Sequence, residues 1–149
     1  GRTCRCGAKG CLEAYVGAEA ILERYGRPLP GQDEESALAA LLASSDERAS
    51  EILEETGRYL GVGIANLVNL FGPERVILGG WAGLLLGERI LPTVREAAGE
   101  HALAHRFAQT SIEMGGLGPD AVALGAATLP VERFLDDALL MNSQNRKAG

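Results

Sequence analysis

The order of apolar and polar positions divides this chain into a polar start, three helical stretches, and a second half in which strands alternate with helices. Residues 1–11 are polar and Gly-rich and read as loop. From Leu12 to Tyr25 the apolar residues Leu12, Tyr15, Val16, Leu22 and Tyr25 fall on one helical face. Gly26-Arg27-Pro28-Leu29-Pro30-Gly31 ends that helix as a surface loop. A short helix is expected over Glu34–Ala43, with Asp33-Glu34-Glu35 as its solvated, acidic start. A long helix follows from near Ser44, where Ser44 and Glu47 have the spacing of a capping box. Ile52, Thr56, Tyr59, Gly63, Leu67 and Leu70 give it a continuous face down to Phe71. Gly57, Gly61 and Gly63 lie inside this helix, each at a cost of about 1 kcal/mol against Ala. Such a cost implies a gain from small side chains, through the close approach of another helix or of a ligand.

Gly72-Pro73-Glu74 is a turn, and Arg75-Val76-Ile77-Leu78 reads as a buried strand ending in Gly79-Gly80. A helix over Pro92–Ala104 has Pro92 in its first turn, where its missing N–H costs nothing. Thr110–Met114 alternates as a strand does, Gly115-Gly116-Leu117-Gly118 turns, and Pro119 opens a last, Ala-rich helix that Pro130 kinks or restarts. The expected domain is residues 1–141, with 142–149 a polar, flexible tail. Phe71, Phe107 and Phe134 are expected in the core, and Asp136-Asp137 on the polar face of the last helix. His101 and His105 stand i, i+4 apart but lack a third ligand, and read as a solvated helix face. Two strands among many helices make a poor free-standing sheet. With no initiator Met and a motif entered at once, the expectation is that the chain starts inside a longer protein.

Composition narrows the functional classes. Hydrophobic residues make up 46% and charged residues 23% of the 149, as in ordinary globular domains. The net charge of -6 and the pI near 5.0 argue against this segment gripping a nucleic-acid backbone. No apolar run reaches the roughly 18 residues of a membrane span. All three cysteines, Cys4, Cys6 and Cys11, lie within the first eleven residues, an odd and tight cluster that suits a metal better than a disulfide framework and points to a reducing, cytoplasmic setting.

Cys4-Arg5-Cys6-Gly7-Ala8-Lys9-Gly10-Cys11-Leu12-Glu13 is the strongest chemical signal. Three thiolates at this spacing converge on one tetrahedral Zn²⁺ if the backbone turns sharply, and Gly7 and Gly10 supply the turns. A fourth ligand is needed. Glu13 begins the helix after the loop, where a carboxylate either complements the helix dipole or serves as an oriented acceptor in a cleft.

C-x-C-G-x-x-G-C-x-E resembles the signature of the ROK family of repressors and sugar kinases. The resemblance continues through Gly61–Gly80 and Gly118–Leu129, where Gly125-Ala126-Ala127 looks like the family's closing helix. It implies an α/β fold, part of the C-terminal lobe of an actin-like ATPase (ribonuclease H-like) architecture. It implies a structural zinc held by Cys4, Cys6 and Cys11 together with a His upstream of them, and a sugar hydrogen-bonded by Glu13. Gly79 and Gly80 match the nucleotide-side turn, which would bind ATP and Mg²⁺ in a kinase. Family kinases commonly place another Gly after that pair, where Trp81 stands here, an indole able to block nucleotide. The family's Asp-x-Gly-x-Thr phosphate loop and catalytic Asn-Asp pair do not occur in these residues.

The resemblance therefore implies the sugar-sensing effector domain of a ROK transcriptional regulator. Such a protein takes a hexose or derivative as effector, forms a homo-oligomer (dimer or tetramer), and reaches DNA only through an N-terminal winged helix not present here. Two alternatives remain open: the C-terminal part of an ATP-dependent, glucokinase-like sugar kinase, and a zinc-bound oligomerisation module without a ligand, with the glycines of the long helix at its seam.

Overall fold

The computed structural model describes residues 1–26, 33–118 and 120–145, with side chains described as far as Leu135. The expected Gly26–Gly31 loop falls largely outside them, as do Pro119 and the side chains of Asp136 and Asp137. In chain order the elements are α1 (Glu13–Val16), α2 (Ala18–Tyr25), α3 (Glu34–Ala43), α4 (Glu47–Phe71), β1 (Arg75–Leu78), α5 (Gly80–His101), α6 (Ala104–Phe107), β2 (Ser111–Met114) and α7 (Ala121–Asn145).

The first helical stretch is two helices, not one. Gly17 leaves the helical conformation at φ -65°, ψ 148° and ends α1 after a single turn. A Cβ at Gly17 would stand 2.7 Å from both the carbonyl oxygen and the Oε1 of Glu13, so only glycine fits beneath that carboxylate. α3 has the expected bounds, and Asp33 caps it by accepting from the Ser36 N–H at 2.8 Å. The cap of α4 is Asp46, whose side chain accepts from the Arg48 N–H, and not the expected Ser44. Ser44 instead closes α3 and accepts from the Asp46 N–H at 3.1 Å, so one short polar link ends one helix and starts the next.

β1 and β2 pair in parallel, Arg75 opposite Ser111 through Leu78 opposite Met114, with α5 and α6 as the crossover between them. The crossover begins at Gly80, directly after β1, rather than at Pro92. Pro92 sits inside α5. Proline there removes a hydrogen bond to the carbonyl of Glu88, but both residues are exposed, which keeps the cost of that lost bond low. α5 ends at His101, and the chain turns through Ala102 and Leu103 into α6. His101 and His105 therefore do not share a helix face; both are exposed, and the His101 ring pairs with the Ala97 carbonyl at 3.0 Å.

α4 and α5 form the largest contact in the molecule, running side by side in the same direction. The glycines of α4 make it close. A Cβ on Gly57 would lie 2.9 Å from the Cβ of Thr93, and one on Gly61 would lie 2.6 Å from the Val94 carbonyl oxygen and 2.7 Å from the Ala97 Cβ. Gly63 faces the other way, against the Leu12 side chain at 2.8 Å. The small residues serve contacts within the chain, which removes the basis for placing them at a dimer seam. Asn69 fastens the far ends of the pair, donating to the His101 carbonyl at 3.1 Å and accepting from the Leu103 N–H at 2.7 Å.

The core gathers Ile21 and Leu22 of α2, Leu38 and Leu41 of α3, Ile52, Leu53, Ile64 and Val68 of α4, Leu86, Ile90 and Val94 of α5, and Ile112 of β2. Phe107 packs partly against it. Phe71 and Phe134, expected inside, are 74% and 72% exposed. Phe71 closes α4 at its open end, and α7 presents Val122, Leu129, Val131 and Phe134 to solvent. The α7 backbone is helical to Asn145, so the polar stretch from Asn142 begins within that helix.

The edge of β2 away from β1 is blocked. Arg95 on α5 donates through Nε at 3.1 Å and Nη2 at 2.7 Å to the carbonyl of Ile112. An open strand edge invites pairing with another chain, and a charged group bonded to its carbonyl prevents it. Arg95→Ala is expected to lower stability by about 1 kcal/mol, read from the urea midpoint, and to raise aggregation on heating, read by light scattering.

Candidate functional site

The Cys loop is a small hairpin. Thr3 bridges Lys9 antiparallel, the Cys4 N–H donates to the Ala8 carbonyl at 2.8 Å, and the Gly10 N–H donates to the Arg2 carbonyl at 2.9 Å. Gly7 and Gly10 hold φ of 88° and 81°, the left-handed conformation expected of them. These turns fold Cys6 back on Cys4 and deliver Cys11 to the same point. The three Sγ atoms lie within 4.8 Å of one another, with Cys6 and Cys11 at 3.7 Å. Zn–S bonds of about 2.3 Å at tetrahedral angles put sulfurs about 3.8 Å apart. The cluster thus fits a single zinc ion, although among the described residues no other Cys, His, Asp or Glu joins the group.

Neighbouring groups shift the Cys6 and Cys11 thiols in opposite directions. The backbone around Ala8, then the neighbouring Cys4 and Cys11 thiols, hold Cys6 below the ordinary thiol range. Hydrogen bonding with Cys6 and Cys4 pushes Cys11 up to about 11. Three adjacent sulfurs cannot all ionise without a positive charge between them, and a divalent metal supplies it.

Cys4 is buried beneath the loop, and it lines a cleft of about 500 Å³ together with Arg2, Thr3, Arg5, Glu13, Ala14, Glu19, Ala20, Glu23 and Arg24. Glu13 stands at the first position of α1, held by the turn that follows Cys11. Its carboxylate is more than half exposed, 3.8 Å from the Arg5 guanidinium, a pair too solvated to fix either side chain. It keeps open acceptor positions towards the cleft. Gly17 leaves the room it occupies.

Gly79 and Gly80 lie at the N-terminus of α5, with φ of 75° at Gly80. Gly79 lines a cavity of about 350 Å³ with Gly115, Gly116 and Gly118. It also lines a second, of about 320 Å³, with Val16 of α1 and Thr56 of α4. The candidate nucleotide turn and the helix of Glu13 thus border one cavity. The Trp81 indole, 40% exposed on the first turn of α5, is not among the residues that line the cavity around Gly79 and Gly115-Gly116.

The ROK family profile matches residues 1–133. This chain belongs to the ROK family. It is 28% identical over 139 residues to the xylose repressor of Bacillus subtilis, covering 91% of this chain and 35% of the repressor. Among solved structures it is similar to the ROK hexokinase from Thermus thermophilus, at a TM-score of 0.66 and 31% identity over 86% of this chain and 44% of that one. It is also similar to a ROK transcriptional regulator that is a homologue of the E. coli MLC protein, at a TM-score of 0.62 and 27% identity over 76% of this chain and 31% of that one. The chain spans little more than a third of the length of the curated repressors it matches. The expected α/β architecture, part of the actin-like fold of ROK sugar kinases, is therefore the one it adopts.

Reading by motif missed the side chains behind the loop. Arg2, Arg24 and Glu55 form one charged group beneath it. Glu55 is 53 positions from Arg2 and 31 from Arg24, so no local spacing brings them together. No helix among the described residues is long and apolar enough to cross a membrane.

Proposed function

We propose that this segment is part of the sugar-sensing lobe of a cytoplasmic ROK transcriptional regulator, in which Glu13 hydrogen-bonds a hexose or related sugar beside a zinc ion held by Cys4, Cys6 and Cys11. The observation that carries this reading is the convergence of three thiols directly ahead of the helix that presents Glu13, in one cleft. A metal there would freeze the loop, and a frozen loop gives the carboxylate a fixed direction, which recognition of hydroxyls requires. The regulator reading is supported by relatives named xylose repressor. DNA would then be reached through a domain outside these residues, and the regulator would act as a dimer or tetramer.

A second reading, the C-terminal part of a sugar kinase, draws on the open cavity at Gly79 and Gly115-Gly116 and on the likeness to a ROK hexokinase. In that case ATP and Mg²⁺ would occupy the Gly79-Gly80 side, and the sugar would keep its place at Glu13. Titration of the full-length protein with xylose, glucose and an N-acetylated hexosamine, each with and without ATP turnover, separates the two. Glu13→Ala is expected to weaken sugar binding by about 1.5–3 kcal/mol, roughly 10- to 150-fold, as hydrogen bonds to a charged group are lost. Unchanged affinity in calorimetry sinks the sugar role of Glu13. Sugar binding with no phosphorylation supports the regulator, and ATP-dependent sugar phosphorylation replaces it with the kinase.

A further inference from the structure

The Cys hairpin is held in place from its base. Arg2 is that base, because its carbonyl accepts from Gly10 and the next residue pairs with Lys9, closing both arms of the hairpin. Arg2 in turn is gripped from several sides. Its backbone N–H donates to the Tyr15 hydroxyl at 3.1 Å, and its guanidinium carbon lies 4.8 Å above the Tyr15 ring and 5.9 Å from that of Tyr59. Its Nη2 donates to Glu55 Oε1 at 2.9 Å, while Nη1 is buried with no acceptor among the described residues. The other oxygen of Glu55 accepts from Nη1 of Arg24. Arg24, whose side chain is only 14% exposed, also donates to the Tyr15 carbonyl at 2.7 Å and to Thr56 Oγ1 at 2.8 Å.

One carboxylate on α4 therefore divides its oxygens between the base of the Cys loop and the arginine that holds the helix of Glu13. We propose that Glu55 is a positioning residue for the Cys loop and for Glu13. With Glu55 in place, Arg2 stays over the tyrosine pair, and the hairpin sets Cys4 and Cys6 at their distance from Cys11. Without it, Arg2 loses the side-chain acceptor it has among the described residues, and Arg24 loses its counter-charge next to α1. The consequence for zinc and sugar rests on the function proposed above; the placement of the loop does not.

The test is Glu55→Gln in the full-length protein, which keeps the shape and removes the charge. In metal-free protein, the buried Cys4 thiol is expected to react several-fold faster with a water-soluble aromatic disulfide, followed residue by residue by mass spectrometry. After zinc loading, retention against a chelator is expected to fall about tenfold or more, the range for residues that support ligands without touching metal. Helix content by circular dichroism stays as in the parent. Glu54→Gln, which breaks only the exposed pair with Arg58, is expected to change neither thiol nor zinc. Should Glu55→Gln not fold, Arg2→Met takes its place: it keeps the Arg24–Glu55 pair, removes only the loop side, and is expected to produce the same two changes. Parental Cys4 reactivity in both variants overturns the proposal, as does unchanged retention in a chain that loads zinc. A parent protein that loads zinc and binds no sugar overturns the sugar-sensing function, while faster Cys4 labelling in the variants still upholds the positioning of the loop.

Discussion

At the zinc site proposed for the Cys loop, Cys4→Ser is expected to lower zinc affinity by more than the roughly 100-fold that loss of a supporting residue can cause. A hydroxyl is a poor substitute for a thiolate on this metal, and Cys4 is the sulfur most enclosed by the fold. The effect should reach beyond the metal. Metal binding is folding free energy for a loop of this kind, since the hairpin has few apolar contacts of its own. Sugar affinity is therefore expected to fall with zinc content, because Glu13 follows Cys11 by two positions and takes its direction from that turn. The measurement is zinc per chain by atomic emission, paired with calorimetry using the sugar that the parent protein binds. Full zinc occupancy in Cys4→Ser would falsify the ligand assignment. Parental sugar affinity in a zinc-free variant would separate Glu13 from the metal.

The second large effect is expected from the addition of one methyl group. Gly61→Ala replaces a poor helix former by the best one, a change worth about 1 kcal/mol in favour of an isolated helix. Here the result should be the reverse, a net loss of about 1–3 kcal/mol from overpacking. The new Cβ would meet the Val94 carbonyl oxygen at 2.6 Å and the Ala98 nitrogen at 3.0 Å. Both are backbone atoms of α5, which can move only by shifting the whole helix. Gly57→Ala should cost less, because its nearest neighbours are side-chain atoms of Thr93. Denaturant midpoints of the two variants check the order. A Gly61→Ala protein as stable as its parent would show that α4 and α5 can part without cost. That outcome also bears on function, because β1 and the Gly79-Gly80 turn hang from the start of α5.

The sequence alone was sufficient wherever the cause is local. The acidic start at Asp33-Glu34-Glu35 marked α3, the 3.6-residue period marked α4 as a helix, β-branched residues marked β1, and Gly7 and Gly10 marked the turns of the loop, because each of these depends on neighbours a few positions away. The Cys spacing marked the thiol cluster for the same reason, since three sulfurs within eight positions need only two turns to meet. Local reading failed where two local signals compete. Ser44 and Asp46 are both good caps, and Pro92 is as good a helix start as any, until the packing of Leu86 and Ile90 against α4 carries α5 back to Gly80. It failed also where the cause is distant. That the α4 glycines face α5 and Leu12, that Phe71 and Phe134 stay outside, and that Glu55 ties Arg2 to Arg24 are decided by contacts between residues far apart in the chain. Periodicity marked α4 as a helix but not the side its second half buries: Tyr59, Leu67 and Leu70 of the expected face are exposed, and Gly61, Ile64 and Val68 are buried instead, because α5 packs along that side. The sequence by itself thus determined the loop, the cysteines that converge in it and the family it belongs to, and the tertiary structure decided what holds that loop in register, because a carboxylate 53 positions from its partner leaves no trace in local spacing.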